Sequence, residues 1–427
     1  MDDLRRRVYQ AFDPSPLRTK DEIDRLYVEL DSVRGATGLV EELGLRIDSA
    51  KPYTVQLLTG HKGSGKSTEL ARLRAFLELR GWFVVCTDIT QERRELDLSD
   101  VDFPELLITM LRDLVEHAES VGVTLRPGYT EDLLGRLKSF LSSEWEATEL
   151  KLKTGLVELA GAVRNREART KIREIFVPDM SSWLHAANEL IDRTRQGLTT
   201  PHNRGVVFLV DGLDQLVDDK RDRSGWREHL YKDRRNELSG LRCHVVYTVP
   251  LDLILASRGT VLADVYGMTQ IPVVPMVKVR EKPPSNDQNA AGVAHLRQVV
   301  GRRLTDLQVL NQDVFVDGVV DYLIDLSAGQ LRQLMLMIRD ASTKALPITR
   351  DALEQVARGY RLNYSYWLGP PHWELLRQIQ RTGSPHGARP DSETLAELIE
   401  TRAILHYRNA GQWYGVNPLI EVPAEAP

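Results

Sequence analysis

The chain has 427 residues, of which 42% are hydrophobic and 27% charged, proportions typical of soluble globular proteins and not of collagen-like or wholly disordered ones. Its 56 Lys and Arg residues against 61 Asp and Glu leave a formal charge of -5, so the overall charge does not indicate a nucleic-acid or membrane-surface binder. Only two cysteines, Cys86 and Cys243, are present, which excludes a disulfide scaffold and a cysteine-rich zinc site. Both lie in apolar, strand-like runs and are predicted to be buried.

The sequence shows no targeting or membrane signal. Its start, MDDLRRRVYQ, lacks the apolar stretch of a signal peptide, and no run approaches the length of a membrane span. We therefore expect a cytoplasmic protein.

About 50 polar residues, predicted to be mainly helical, precede a larger domain. The apolar run YTVQLLT at 53–59 is typical of a buried parallel strand. A glycine-rich loop follows, and then a segment whose apolar residues repeat at helical spacing. GWFVVCTDI at 81–89 predicts a second buried strand, so the order strand, loop, helix, strand indicates the start of a βαβ unit.

The stretch from 103 to about 200 is predicted to be mostly helical. PELLITMLRDLVEHAESV has the pattern of an amphipathic helix, whereas residues 149–153 alternate in a way that fits either a strand or the start of a helix. Two further buried strands are predicted at 205–213 and 243–249.

Proline-containing segments divide the rest of the chain. EKPPSNDQ at 281–288 is the strongest predicted boundary, and Pro370 and Pro371 introduce a small unit of two helices and a hairpin. We therefore predict four parts: a helical lead-in at 1–50, an α/β core at 51–278 with a helical insertion at about 120–200, a helical domain at 289–365, and a C-terminal unit at 366–427.

One motif carries specific chemistry. Residues 60–67, GHKGSGKS, fit the phosphate-binding pattern GxxxxGK[ST] at every fixed position, and they lie between a strand and a helix, where backbone N–H groups converge on phosphate oxygens. Lys66 is predicted to face the β- and γ-phosphates, Ser67 to offer its hydroxyl to Mg²⁺, and Thr68 to reach the α-phosphate. The residues predicted to contact the nucleotide are Gly60, His61, Lys62, Gly63, Ser64, Gly65, Lys66, Ser67 and Thr68.

A second element supplies the carboxylate that a magnesium ion beside phosphates needs. In VVFLVDGLDQL, Asp211 ends the predicted strand and Asp214 follows three residues later. An Asp at the end of a strand is also a common turn former. Next to an intact phosphate loop, we favour a metal role for Asp211, which would hold Mg²⁺ through water.

Together, these motifs resemble those of P-loop ATPases of the AAA+ and STAND type, which include origin-recognition ATPases and the ATPase modules of immune-type signalling proteins. The resemblance implies a doubly wound parallel-sheet core, an all-helical lid at 289–365 and a small winged-helix-like domain after it. Where AAA+ enzymes place a catalytic Glu after the metal-binding Asp, this chain has Gly212. DGLDQ is similar instead to the STAND form, so the resemblance assigns polarisation of the attacking water to Asp214. The STAND form often continues with Glu, and Gln215 in its place implies slow or partner-triggered hydrolysis.

The resemblance also points to residues that sense the nucleotide. Thr248 ends the strand CHVVYTV where the family places sensor 1, although an ordinary β-branched strand residue is the alternative. In SAGQLRQLMLMIRDAS, Arg332 resembles the second sensor, against the alternative of an exposed helical arginine. Arg234 and Arg235 are candidates for an arginine finger donated to a neighbouring subunit, and Arg258 is a weaker one. A solvated, salt-bridged helix is the default interpretation of the segment around Arg234.

Charge counts weigh against DNA as the partner. From 366 to 427 there are five basic and seven acidic residues, and the candidate recognition helix DSETLAELIET has four acids and no base. DNA binding depends mainly on neutralising phosphates. The strongest basic run is RNREARTKIRE, for which a solvated helix face is favoured over a track for a phosphate backbone; its basic residues are Arg164, Arg166, Arg169, Lys171 and Arg173.

These observations predict an ATPase that uses ATP and Mg²⁺ and hydrolyses ATP slowly. In the favoured hypothesis, nucleotide closes the lid through Arg332 and controls self-assembly or the binding of a separate effector protein, as in signalling ATPases that include those guarding bacteria against phage. The alternative is a DNA-acting AAA+ ATPase of the origin-loader or transposition-regulator type. A third hypothesis is a nucleotide-binding scaffold that never hydrolyses ATP.

Overall fold

A parallel five-stranded sheet lies at the centre of the protein. The computed structural model describes residues 2–35, 38–90, 96–123, 152–218, 225–385, 392–408 and 411–424. Within these residues the strand order is β2-β3-β4-β1-β5, and all pairs are parallel. The strands are β1 Val55–Gly60, β2 Trp82–Asp88, β3 Gly205–Asp211, β4 His244–Val249 and β5 Val273–Val274.

Both faces of the sheet are covered, because successive strand residues point to opposite sides. Leu57 and Phe208 pack on one face with helices of the insertion, whereas Leu58 and Leu209 pack on the other face with the helices around the phosphate loop. The predicted doubly wound α/β class is therefore confirmed. The edge strand β5 was not predicted, since two residues carry no periodicity.

Helices surround this sheet. Before β1 lie α1 Asp2–Ala11, α2 Lys20–Leu26, α3 Asp31–Arg34 and α4 Leu39–Ser49. The core adds α5 Lys66–Glu78, α6 Phe103–Ser120, α7 Leu152–Ala162, α8 Arg166–Phe176, α9 Met180–Gly197, α10 Trp226–Lys232, α11 Arg235–Leu238 and α12 Gly259–Val265. The ambiguous segment at 149–153 is thus helical from Leu152 onward, and the part of the predicted insertion at 124–151 lies outside the described residues.

The C-terminal third consists of a helical lid and a small unit of mixed structure. The lid contains α13 Ala290–Leu307, α14 Asn311–Val314, α15 Val319–Ser327, α16 Leu331–Ser342 and α17 Arg350–Ser365. The C-terminal unit contains α18 Pro370–Thr382, α19 Ser392–Glu400, β6 Ile404–Tyr407 and β7 Trp413–Val416. Because β6 and β7 pair in antiparallel register, the predicted order of two helices and a hairpin is confirmed, while the winged-helix-like assignment stays a prediction.

The N-terminal residues pack onto the lid. Val8, Phe12 and Val33 belong to the same buried cluster as Leu334 of α16. This packing brings the segment between α1 and α3 next to the phosphate loop. No helix among the described residues combines the length and the apolar character that crossing a membrane requires.

Two arginines of the basic run differ from both interpretations made from the sequence, whereas Arg164, Arg166 and Lys171 of the same run are exposed, as the favoured solvated helix face requires. Arg169 is only 2% exposed and pairs with Asp97 at 2.8 Å and Asp100 at 3.2 Å. Arg173 pairs with Asp100 and Glu105, each at 2.7 Å. These two arginines tie α8 to the start of α6, so they are available neither to a solvated face nor to a nucleic-acid backbone.

We expect Arg169→Ala to destabilise the fold by about 2 kcal/mol, because it removes a buried guanidinium that bridges Asp97 and Asp100 and leaves Asp97 without its partner. Thermal unfolding would show this loss as a lower melting temperature. Lys171→Ala is the matched control, since Lys171 lies on the same helix and is exposed. Equal melting temperatures for the two variants would contradict the structural role of Arg169.

The two cysteines differ in their surroundings. Cys243 is buried, as predicted, whereas Cys86 is exposed. The prediction for Cys86 was wrong because its side chain lines a cavity of about 430 Å³ between β2, α5 and α6. A strand at the edge of a sheet can thus carry an apolar sequence without being covered along its whole length.

Candidate active site

The phosphate loop joins the end of β1 to the start of α5. Gly63 and Gly65 have φ angles of +87° and +105°, in the left-handed region that glycine adopts without strain. A Cβ atom on Gly63 would lie 2.5 Å from the Cβ atom of Arg332. Position 63 is variable in the motif, but in this structure it needs glycine both for the turn and for close approach of the lid.

Lys66 lies buried inside this loop. Its ammonium donates to the carbonyl oxygens of Gly60 at 2.7 Å and His61 at 2.9 Å, and it pairs with Asp214 at 2.8 Å. Asp214 reaches Lys66 because Gly212, with φ +90°, turns the chain sharply after β3. A Cβ atom at position 212 would lie 2.7 Å from Thr90, so the Glu of ordinary AAA+ enzymes does not fit here without rearrangement.

Asp211, the last residue of β3, lies beside Asp88 of the neighbouring strand. Burial and the nearby charge of Asp214 raise the pKa of Asp211 to about 6, even though a hydrogen bond from the Ser67 hydroxyl acts to lower it. Ser67 and Asp211 together offer the oxygen ligands that Mg²⁺ prefers. No group of three or more His, Cys, Asp or Glu side chains in the described part of the chain forms a metal site.

A cavity of about 440 Å³ opens over the phosphate loop, and three parts of the chain line it. One wall is formed by the loop itself, and the lid supplies Val299, Arg303 and Met335. The third wall is the N-terminal segment, where Leu17 N–H donates to the Thr68 hydroxyl at 3.2 Å. Sequence reasoning missed this wall, whose lining residues are Pro14, Ser15, Pro16, Leu17, Leu26, Tyr27, Val28 and Leu30.

The cavity is rich in positive charge. Lys62, Lys66, Arg303, Arg332 and Arg402 all line it. Burial lowers the pKa of Arg303 to about 10 and also lowers the pKa of Lys62. With Arg34, six cationic side chains line the cavity, against only two lining carboxylates, those of Glu69 and Asp214. This excess of cations is suited to a polyanion such as a triphosphate.

A buried ion pair between Arg34 and Glu69 contacts the phosphate loop. Both side chains are almost fully buried, and they pair at 3.1 Å. Arg34 also donates to the Ser64 carbonyl oxygen. Because Arg34 comes from α3, this pair anchors the N-terminal segment directly to the phosphate loop.

The two predicted sensor residues, Arg332 and Thr248, lie in different surroundings. Arg332 lies against the loop, with its backbone N–H donating to Gly63 O at 3.2 Å. Thr248 is fully buried in β4, and its hydroxyl has no hydrogen-bond partner among the described residues; it does not line the cavity. Its sensor role stays a prediction.

The two arginine-finger candidates also differ. Arg234 makes two hydrogen bonds to Asp102, at 3.0 and 2.9 Å, at the start of α6. These contacts agree with the default interpretation of a salt-bridged segment, and the arginine-finger role of Arg234 stays a prediction. Arg235 is exposed and remains a candidate, whereas the side chain of Arg258 lies outside the described residues.

The C-terminal hairpin contacts the phosphate loop directly. The backbone N–H of His406 donates to Nε2 of His61 at 2.9 Å, and the Tyr407 hydroxyl donates to the carbonyl oxygen of Ala328 at 2.7 Å. The sequence did not predict this contact, because 345 positions separate His61 from His406.

We expect acid to lower the stability of the protein through His406. Burial, together with the charge of Arg408, lowers the pKa of His406 to about 4 from its ordinary value of 6.5. The unfolded chain therefore binds the proton first, and stability falls as the pH drops from about 6.5 to about 4. Neither ring nitrogen of His406 has a partner in the described structure, so His406→Phe should leave the free energy of unfolding at neutral pH nearly unchanged. In acid, the variant should retain about 2–3 kcal/mol of the free energy of unfolding that the wild-type protein loses.

Melting temperatures between pH 7.5 and 4.5 would check this expectation. His185→Gln is the control, because His185 is exposed on α9. The idea fails if His406→Phe and the wild-type protein lose stability equally in acid.

Comparison with known proteins places the chain beside archaeal ATPases at low similarity. No protein family and no curated protein matches it. Among solved structures, it is similar to the Walker-type ATPase PABY2304 of Pyrococcus abyssi, with 15% identity, 96% of this chain and 98% of the other covered, and a TM-score of 0.44. The ORC1 protein of Aeropyrum pernix in complex with DNA has 15% identity, coverages of 96% and 93%, and a TM-score of 0.41. Cdc6p from Pyrobaculum aerophilum has 11% identity, coverages of 96% and 94%, and a TM-score of 0.38.

Proposed function

We propose that the protein binds ATP with Mg²⁺ in the cavity over the phosphate loop and hydrolyses it slowly. The observation that carries this proposal is the position of Lys66, buried at the start of α5 between two loop carbonyls and Asp214. An incoming phosphate would replace these carbonyls as the partner of the ammonium. The apolar wall formed by Leu26, Val28 and Met335 suits the nucleobase.

Different side chains of the site would bind the metal and activate the water. Ser67 and Asp211 would hold Mg²⁺, which neutralises charge on the phosphates when bound. Asp214 would orient and polarise the attacking water, because its carboxylate lies 2.8 Å from Lys66. Gln215 also lines the cavity, but an amide accepts no proton. This fits slow hydrolysis, as the resemblance implied.

The site also supports a switch. The lid and the C-terminal unit both contribute cations to one cavity, through Arg332 and Arg402, so the charge of a nucleotide would bias the positions of both. We propose that this bias controls self-assembly or the binding of a separate partner protein. A role in bacterial defence is one such use.

The DNA-acting alternative retains a basic surface at Arg164, Arg166 and Lys171, which are exposed, but the other two arginines of that run do not contribute to it. Arg169 and Arg173 are engaged in ion pairs, and in α19 Leu398 is fully buried while Glu397 contacts His372. A partner other than DNA is therefore favoured for the C-terminal unit.

Steady-state ATP hydrolysis and particle mass, each measured with and without double-stranded DNA, test the proposal. We expect a slow rate of ATP hydrolysis that DNA does not change, and a particle mass that changes when ATP is added. Strong stimulation by DNA would favour the alternative, and a mass indifferent to nucleotide would contradict the switch.

A further inference from the structure

Arg402 belongs to the C-terminal unit, yet it lines the same cavity as Lys62, Lys66 and Asp214. It lies in the turn between α19 and β6. Burial is the main cause of the lowered pKa values of His61 and Lys62, and the charge of Arg402 lowers both further, so Arg402 acts electrostatically on the phosphate loop. Among the described residues, its guanidinium has no ion-pair partner, unlike Arg34 in the same wall.

The backbone at Arg402 is held in an unusual conformation. Its φ angle is +63°, which is uncommon for a residue with a Cβ atom. Three hydrogen bonds hold it there: Arg402 N–H donates to Ile399 O at 3.1 Å, and Arg402 O accepts from Asn417 at 3.1 Å and from the Tyr364 hydroxyl at 3.4 Å. Strained residues fixed in this way are often found at functional sites.

The surrounding contacts connect this turn to the phosphate loop. His406, four residues further on, donates its backbone N–H to His61. Lys62, the next residue of the loop, accepts at its carbonyl oxygen a hydrogen bond from Gln330 at 3.0 Å. The loop is therefore contacted by the C-terminal unit on one side and by the lid on the other.

We propose that Arg402 is a phosphate-binding residue that the C-terminal unit contributes to the nucleotide site of its own chain, so that bound nucleotide holds this unit docked. A guanidinium suits the task, because its planar fork donates two hydrogen bonds to the oxygens of one phosphate. The inference rests on the proposed function and adds to it a physical link between nucleotide and the C-terminal unit. Since such coupling is reciprocal, docking and nucleotide affinity must support each other.

The first test is the affinity for ATP in the presence of Mg²⁺. Arg402→Ala should weaken binding about 10-fold or more, the loss expected for a charge-assisted contact. Arg408→Ala is the matched control, because it removes the same charge from the end of the same hairpin, where Arg408 contacts Gln270 outside the cavity. Arg402→Asn should show the same loss as Arg402→Ala, since asparagine tolerates a positive φ and keeps the turn intact.

The second test follows hydrogen exchange of the His406 amide, which reports docking. ATP should slow this exchange in the wild-type protein and in Arg408→Ala, but not in Arg402→Asn. Unchanged affinity and unchanged protection in both Arg402 variants would overturn the inference while leaving the proposed function standing. Absence of ATP binding to the wild-type protein would instead overturn the proposed function, and the inference with it.

Discussion

Replacing Lys66 with alanine is expected to weaken ATP binding by about 100-fold or more. The ammonium has two loop carbonyls and Asp214 as its partners, all positions that direct it toward phosphates entering the loop. Loss of charge-assisted hydrogen bonds to two phosphates costs about 3 kcal/mol or more. Equilibrium titration with a fluorescent ATP analogue measures this effect.

Two further variants make the Lys66 result interpretable. Lys51→Ala removes an exposed lysine just before β1 and should bind ATP as the wild-type protein does. Lys66→Met keeps most of the apolar stem and removes only the charge, so it should lose as much affinity as the alanine variant. An affinity within threefold of wild type in both Lys66 variants would rule out the phosphate loop as the binding site.

Replacing Asp214 with asparagine is expected to reduce the rate of ATP hydrolysis by about 100- to 1000-fold while ATP still binds. Proton transfer by a positioned carboxylate contributes a factor of this size, and an amide of the same shape cannot accept the proton. The Asp214 side chain is buried against Lys66, so the substitution should leave the loop in place. Phosphate release under saturating ATP measures the rate.

Asp218→Asn is the control for this experiment. Asp218 follows Asp214 closely in the chain but pairs with Arg227 at 3.0 Å and does not line the cavity. Its replacement should leave hydrolysis unchanged. If Asp214→Asn hydrolyses ATP at the wild-type rate, another group activates the water and the role assigned to Asp214 is wrong.

Local features of the sequence were sufficient to predict much of the fold. The four longer strands were predicted because each is an apolar run ending in a turn, and Asp211 was placed correctly because it ends such a run. The phosphate loop was predicted from its glycines and from its position between a strand and a helix. These features depend on neighbours in sequence.

Features that depend on distant residues were missed. Arg169 and Arg173 looked like a solvated basic face, and only folding shows that their carboxylate partners lie about 70 positions earlier, at Asp97 and Asp100. The N-terminal wall of the cavity and the contact between His61 and His406 also join remote segments. No pattern within a single segment records such pairs.

The central claim is that ATP lies between the phosphate loop, the N-terminal segment and the lid. Photo-crosslinking with 8-azido-ATP, followed by peptide mapping, tests it most directly. The account predicts labelling at 14–30 or at 299–335, prevented by excess ATP and absent in Lys66→Ala. Labelling confined to other parts of the chain, or labelling that persists in Lys66→Ala, would contradict it.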